Sequence, residues 1–394
     1  MNAYISQSTI SQKLILIFGV LLTLPVLNGC TPTTQSQWHG PTARQSTVLA
    51  PQQEQSILPA KPVKVALLVP LTGNGNNIGQ AILNASQLAL FDMGPQEFQL
   101  IPRDTKGTPA GTQIATQEAI NNGASLILGP LFSNSVKSAA AAAAPHGINV
   151  IGFTTDQNAV SYNSFAMGFL ANTQVESILT YAINQRRGRF TVVTKDNQYG
   201  TLVTNTAQQF LSKARYPAPH IHKINGNNLD LNKLYSDIIA HQSQAILLAV
   251  DMATATSISN HLISKGLSNQ ELQRLGLGLW DNNQRAYSSA LDGAWYAAPS
   301  PMQRDRFNRL YKDTYGISPP RLASIGYDAT ALAISLHKRG SDYSKETMIR
   351  ANGFYGLDGI FRFRPNGLVE RGLAIMEFSR GRSTVRRNAP TGFQ

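Results

Sequence analysis

The chain has 394 residues, 42% hydrophobic and 14% charged, with a formal net charge of +12. That apolar share can bury a sizeable core, which excludes a wholly disordered polymer, and a single cysteine excludes an intramolecular disulfide framework. The surplus of cations suits anionic lipid, an acidic protein face or an anionic polymer, and does not by itself make a nucleic-acid binder.

The first element decides the compartment. Lys13 precedes an apolar run over 14–27 that Pro25 interrupts. It is short for a comfortable membrane span and has the proportions of a secretory signal. The next residues, Leu27-Asn28-Gly29-Cys30, resemble a lipobox: an apolar residue, a small residue before the cut, then the thiol that takes a diacylglyceryl group. Residues 1–29 are therefore expected to be a lipoprotein signal peptide and Cys30 the lipidated residue. Thr31 stands where an aspartate would retain the protein at the inner membrane. By resemblance to bacterial sorting signals, this favours the periplasmic face of the outer membrane. An exported chain is not expected to meet nucleic acid. Residues 30–61, dominated by Thr, Gln, Ser and Pro, read as the lipidated cysteine and a disordered tether. Such a stretch has a root-mean-square span of about 30 Å.

From Val63 the pattern becomes regular. An apolar strand over 63–70 ends at Thr72-Gly73-Asn74-Gly75, and a helical stripe follows at Ile78, Ala81, Ile82, Ala85, Leu88 and Ala89. Strands over 98–101, 125–128 and 148–153 then alternate with helices over 113–120 and 136–144. A second series repeats the rhythm. It has strands over 190–194, 245–250 and 275–279, with helices over 175–183, 202–211, 231–240 and 253–264. Beyond Trp280 come a strand over 293–297, helices near 303–315 and 321–337, and a hairpin. That hairpin runs 359–364, turns at Pro365-Asn366-Gly367, and returns over 371–378. Two βα series predict an α/β chain of two lobes, each a doubly wound, mainly parallel sheet. The expected divisions are a domain over 62–379 and a basic tail over 380–394. Lobe 1 takes 62–172 and 281–350; lobe 2 takes 173–280 and 351–379.

Several marks sit at strand ends: Leu68-Val69-Pro70-Leu71-Thr72-Gly73, Leu128-Gly129-Pro130-Leu131-Phe132-Ser133-Asn134-Ser135, Phe153-Thr154-Thr155, Lys195-Asp196-Asn197-Gln198-Tyr199-Gly200 and Gly326-Tyr327-Asp328-Ala329. In this order they resemble the type I periplasmic binding proteins, in particular the leucine-binding branch, over about 62–379. The resemblance implies a ligand crevice outside the carboxyl ends of the strands. A hydroxyl loop such as Ser133–Ser135 at a helix start can hold a carboxylate. The resemblance places Ser133, Thr154 and Thr155 at ligand-contacting positions, with Ser135 beside them and Tyr199 at the rim of the second lobe. An acid for a ligand ammonium would be Asp251 or Asp281. Helix capping, turn chemistry and interlobe packing explain these residues as well, and Asp328 reads as structural.

The lipobox, the tether and the ending Gly359-Ile360-Phe361-Arg362-Phe363-Arg364-Pro365-Asn366-Gly367-Leu368-Val369-Glu370-Arg371 narrow the resemblance to the lipoprotein activators of penicillin-binding proteins. In that family the binding-protein fold docks on a peptidoglycan synthase and stimulates it. Its best-known members add an N-terminal helical-repeat domain, for which the stretch before Val63 reads as too short. The competing expectation is the solute receptor of an ABC importer for an amino acid or similar small molecule. No catalytic constellation, cofactor motif or complete metal site is visible. His220-Ile221-His222 puts two imidazoles on one strand face without an evident third ligand. The arginines at 362, 364, 371, 380, 382, 386 and 387 read either as a solvated hairpin and tail or as a basic patch.

Overall fold

A computed structural model describes residues 62–226, 228–281 and 288–393. The expected signal peptide, Cys30 and the tether lie outside the described residues. Among the described residues, no helix is long and apolar enough to cross a membrane.

The first series runs β1 (Val63–Val69), α1 (Asn76–Met93), β2 (Phe98–Asp104), α2 (Pro109–Asn121), β3 (Leu126–Leu128), α3 (Ser133–Ala143), β4 (Asn149–Gly152) and β5 (Ser164–Ala166). Its strands pair in parallel in the order β2-β1-β3-β4-β5. Val65, Leu67 and Val69 of β1 enter one core, and Ala66 and Leu68 enter another. That is the period-two alternation of a strand covered on both faces, and it explains why the sequence shows an unbroken apolar run. Helix α2 starts where its sequence provides a start: Thr108 accepts a hydrogen bond from the Gly111 amide, with proline at the first turn.

The second series runs α4 (Ala171–Asn184), β6 (Phe190–Lys195), α5 (Gln198–Lys213), β7 (His220–Ile224), α6 (Leu231–Ala240), β8 (Ala245–Ala249), α7 (Met252–Ser264), β9 (Gln273–Gly276) and β10 (Trp295–Ala298). After it come α8 (Pro301–Tyr315), α9 (Ala323–Lys338), α10 (Lys345–Met348), β11 (Phe354–Gly356), β12 (Gly359–Phe363), β13 (Val369–Arg371), β14 (Ala374–Ser379) and β15 (Arg382–Arg387). The second sheet has the order β15-β14-β10-β9-β8-β6-β7 and is parallel except for β14 and β15.

The division of the C-terminal third differs from the sequence reading. Strand β10, expected with lobe 1, pairs with β9 in the second sheet. Residues of β11–β13, expected with lobe 2, form a small antiparallel sheet, and Phe354, Phe361, Phe363 and Val369 share the core of the first sheet. The hairpin is split: β12 pairs with β13, whereas β14 pairs with β10. Part of the expected tail is β15, the edge strand beside β14. Local periodicity reports that a segment is extended and half-buried, not which sheet receives it. Among the described residues the chain passes between the two sheets three times: between β5 and α4, after β10, and between β13 and β14.

Gly326 explains one of the marks. An added Cβ there would stand 2.5 Å from the Ile82 carbonyl oxygen. Only glycine lets α9 lie this close to α1.

Candidate functional site

The carboxyl ends of strands from both sheets open on a cavity of about 530 Å³. Thr155 follows β4, Tyr199 begins α5 just after β6, and Gly278 and Asp281 follow β9. The remaining wall includes Phe169, Gln174, Arg321 and Arg371. A second hollow of about 460 Å³ shares Thr155, Tyr199 and Leu202 with the first.

The structure separates the expected site residues into three groups. Thr155, Tyr199 and Asp281 line the cavity. Burial pushes the Tyr199 phenol well above its ordinary range, so this side chain enters the site as a neutral ring and hydroxyl. Ser133, Ser135 and Thr154 line neither hollow. Ser135 is buried, and its Oγ has no hydrogen-bond partner among the described residues. Asp251 is exposed, lines neither hollow, and caps α7: its Oδ1 accepts from the Thr254 amide at 2.9 Å, while Oδ2 lies 3.2 Å from Lys195 Nζ. Asp251→Ala is therefore expected to cost about 1 kcal/mol of stability and to leave small-molecule binding in the cavity unaltered. Urea titration and calorimetry check the two halves separately.

The sequence reading overlooked Asp156. Ser133 Oγ donates a short hydrogen bond to Asp156 Oδ2, Asn158 N donates to Oδ1 at 2.9 Å, and the Asp156 amide donates to Thr154 Oγ1 at 3.0 Å. The Ser133 hydrogen bond is the main cause holding this carboxyl below its usual range. An internal carboxylate thus occupies the hydroxyl pair at which the resemblance would place a ligand contact.

A buried ionic network was also missed. Asp281 accepts from both Arg304 nitrogens and, at 3.0 Å, from Arg321 Nε. Arg321 continues to Asp358, with Nη2 3.0 Å from Oδ1, and donates to Ser324 Oγ at 3.0 Å. Arg371 donates to the Met167 carbonyl at 3.0 Å and lies 3.7 Å from Asp328 Oδ2. Both Arg321 and Arg371 face the Phe169 ring, their guanidinium carbons 4.0 and 5.0 Å from its centroid. Arg371, expected on a solvated hairpin face or in a basic patch, is 5% exposed. The network sets three arginines against three aspartates, and of these Asp281, Arg321 and Arg371 line the cavity.

The two deepest carboxylates diverge. Burial first, then the neighbouring Asp358 charge, push Asp328 up to about 7, against the pull of Arg371 and backbone amides. For Asp358 burial also raises, but Arg321, Arg371 and the Ser324 hydrogen bond prevail and hold it low. The folded protein thus keeps a proton on Asp328 that the unfolded chain gives up near the ordinary carboxylate value of 3.8. The stability from that proton is complete below the unfolded pKa and is lost as pH rises towards about 7. Asp328→Asn, which mimics the protonated carboxyl, is expected to gain on the wild type from about pH 4 to about pH 7 and to hold that gain above it. Urea titrations across that range check it; a difference independent of pH would contradict it.

The family model for periplasmic binding protein matches residues 62–383. No curated protein sequence matches the chain. Among solved structures, a Rhodospirillum rubrum protein assigned to a branched-chain amino acid ABC transporter is similar at TM-score 0.75 and 17% identity, over 82% of this chain and 99% of that one. The C-domain of LpoA (YraM) from Haemophilus influenzae, a regulator of PBP1A, is similar at TM-score 0.66 and 17% identity, over 82% and 99%. The substrate-binding protein LivJ of a branched-chain amino acid transporter from Streptococcus pneumoniae, in complex with isoleucine, is similar at TM-score 0.56 and 16% identity, over 84% and 100%. At these identities the likeness is one of fold, and it spans both binding and regulatory proteins.

Proposed function

The chain belongs to the periplasmic binding protein family, and from that premise we propose that it is an envelope lipoprotein whose two-lobed domain docks on and activates a penicillin-binding protein. The observation that carries this reading is Asp156. Ser133, the resemblance's carboxylate contact, already serves the protein's own carboxylate, and Thr154 is tied to the same residue. A ligand carboxylate brought within 4 Å of Asp156 would meet repulsion of about 1 kcal/mol in water and about 4 kcal/mol at a near-surface effective dielectric. The acids available for a ligand ammonium are likewise engaged, Asp251 by Lys195 and Asp281 by Arg304 and Arg321. These features fit a binding-protein fold retained as a docking module. One structure of similar fold is of a penicillin-binding protein regulator.

In this reading residues 1–29 are the signal, Cys30 carries the acyl chains at the outer membrane, and residues 30–61 give reach towards the partner. Docking raises synthase activity by binding the active conformation more tightly than the resting one. No covalent step is required of the protein itself. The direct test adds the purified domain to a bifunctional penicillin-binding protein from the same envelope. Faster glycan polymerisation or cross-linking is expected; no change at saturating domain would sink the proposal.

The cavity itself favours a second reading. Its volume suits a small molecule, and the aromatic ring flanked by two arginines would suit a flat or anionic solute rather than a free amino acid. Calorimetry against amino acids and aromatic carboxylates separates the readings: tight binding of either class favours the receptor.

A further inference from the structure

At the edge of the second sheet, far from β15 in the strand order, β7 carries His220 and His222 on one face. Asp237 of α6 approaches both rings: its Oδ2 lies 3.2 Å from His220 Nε2 and 3.5 Å from His222 Nδ1. All three donor atoms lie within 4.8 Å of one another. We propose that His220, His222 and Asp237 form a binding site for one divalent transition-metal ion of the zinc class.

The spacing fits. A tetrahedral ion with ligands at about 2.0–2.2 Å needs donor atoms about 3.3–3.6 Å apart, which is close to the separations of Asp237 from each ring. Two imidazoles and a carboxylate suit zinc-class ions, whereas magnesium and calcium select all-oxygen sites. The side chains are 20%, 8% and 18% exposed, shielded yet reachable from solvent. His220 Nε2 is buried without an aligned hydrogen bond, so its approach to the carboxylate is not explained by a well-formed N–H···O contact. A cation bound there would bridge the two.

The surroundings hold the ligands in place. His241 stacks on His220 with ring centroids 4.1 Å apart, and its Nδ1 lies 2.8 Å from the Asp237 carbonyl oxygen. Outer contacts of this kind orient metal ligands. Lys233 Nζ sits 3.0 Å from both Asp237 oxygens and is 63% exposed. It supplies the positive charge that the ion would supply, and it can leave for solvent. Metal and Lys233 therefore compete for one carboxylate. A bound ion would pin α6 onto the edge strand β7 and leave a fourth coordination position open to water or to a partner's side chain.

The experiment titrates tag-free, full-length protein with zinc sulfate by calorimetry at neutral pH, and records the absorption of a cobalt(II) complex. One ion per chain and the visible bands of four-coordinate cobalt are expected. His220→Ala, His222→Ala and Asp237→Asn should each weaken binding at least roughly tenfold. Lys233→Ala should tighten it, and Cys30→Ser and His146→Ala should leave it unaltered. Lys233→Ala and the cobalt spectrum of the wild type keep the test decisive if a ligand variant fails to fold. No saturable binding, binding that survives loss of all three ligands, or binding abolished by Cys30→Ser would overturn the proposal.

Discussion

Arg321→Ala is expected to destabilise the domain by about 3–5 kcal/mol, the loss typical of removing one partner from a buried ion pair. Arg321 is 12% exposed at its side chain, and its partners Asp281 and Asp358 are 5% and 0% exposed. Alanine removes the Arg321 ion pair from Asp358, leaving the Ser324 hydrogen bond, and it removes one of two arginines from Asp281. It also strips the guanidinium from the face of Phe169. The partners belong to different parts of the fold: Asp281 follows β9 of the second sheet, and Asp358 precedes β12, whose Phe361 sits in the first core. Arg321 thus ties the second-lobe wall of the cavity to the first lobe. Arg321→Lys is expected to recover only part of the loss, since one ammonium cannot reproduce a planar fork that serves Asp281, Asp358 and Ser324 together. Urea denaturation measures both. A cost below about 1 kcal/mol for the alanine variant would mean that the network is dispensable.

Cys30→Ala is expected to move the protein from the membrane fraction to the soluble fraction after export. Two or three acyl chains give stable anchoring at about 0.8 kcal/mol per buried CH₂, and among the described residues no helix is long and apolar enough to cross a membrane. Fractionation of cells expressing each form reads the outcome. Unchanged membrane recovery would remove the lipid anchor from the proposed function.

The two-lobed α/β fold was legible because its evidence is local. Strands such as 245–250 are apolar on both faces, with Ala245 and Leu247 in one core and Ile246 and Leu248 in another, and helical stripes separate them. The assignment of the last third was not legible, because β12 and β14 look like one hairpin until the core shows them entering different sheets. The site was legible in place and not in detail. Strand-end loops pointed to Thr155 and Tyr199, which line the cavity. Its electrostatics depend on residues distant in sequence: Asp281 is neutralised by Arg304 and Arg321, and Arg371 is buried beside Asp328. No periodicity announces that a charged residue is paired. Asp156 was nearer to hand, one position beyond Thr155. A carboxylate following two threonines in the expected ligand loop was a signal that the cradle could be filled from within. The third partner of His220 and His222 was hidden in the same way, on the helix that covers the strand.

Cross-linking the lipid-anchored protein in its own envelope and identifying what co-purifies tests the docking proposal most directly. Enrichment of a penicillin-binding protein, retained by an Asp251→Ala variant, is the predicted result. Enrichment of an importer permease with no synthase would contradict it and return the cavity at Phe169, Arg321 and Arg371 to the role of a solute site.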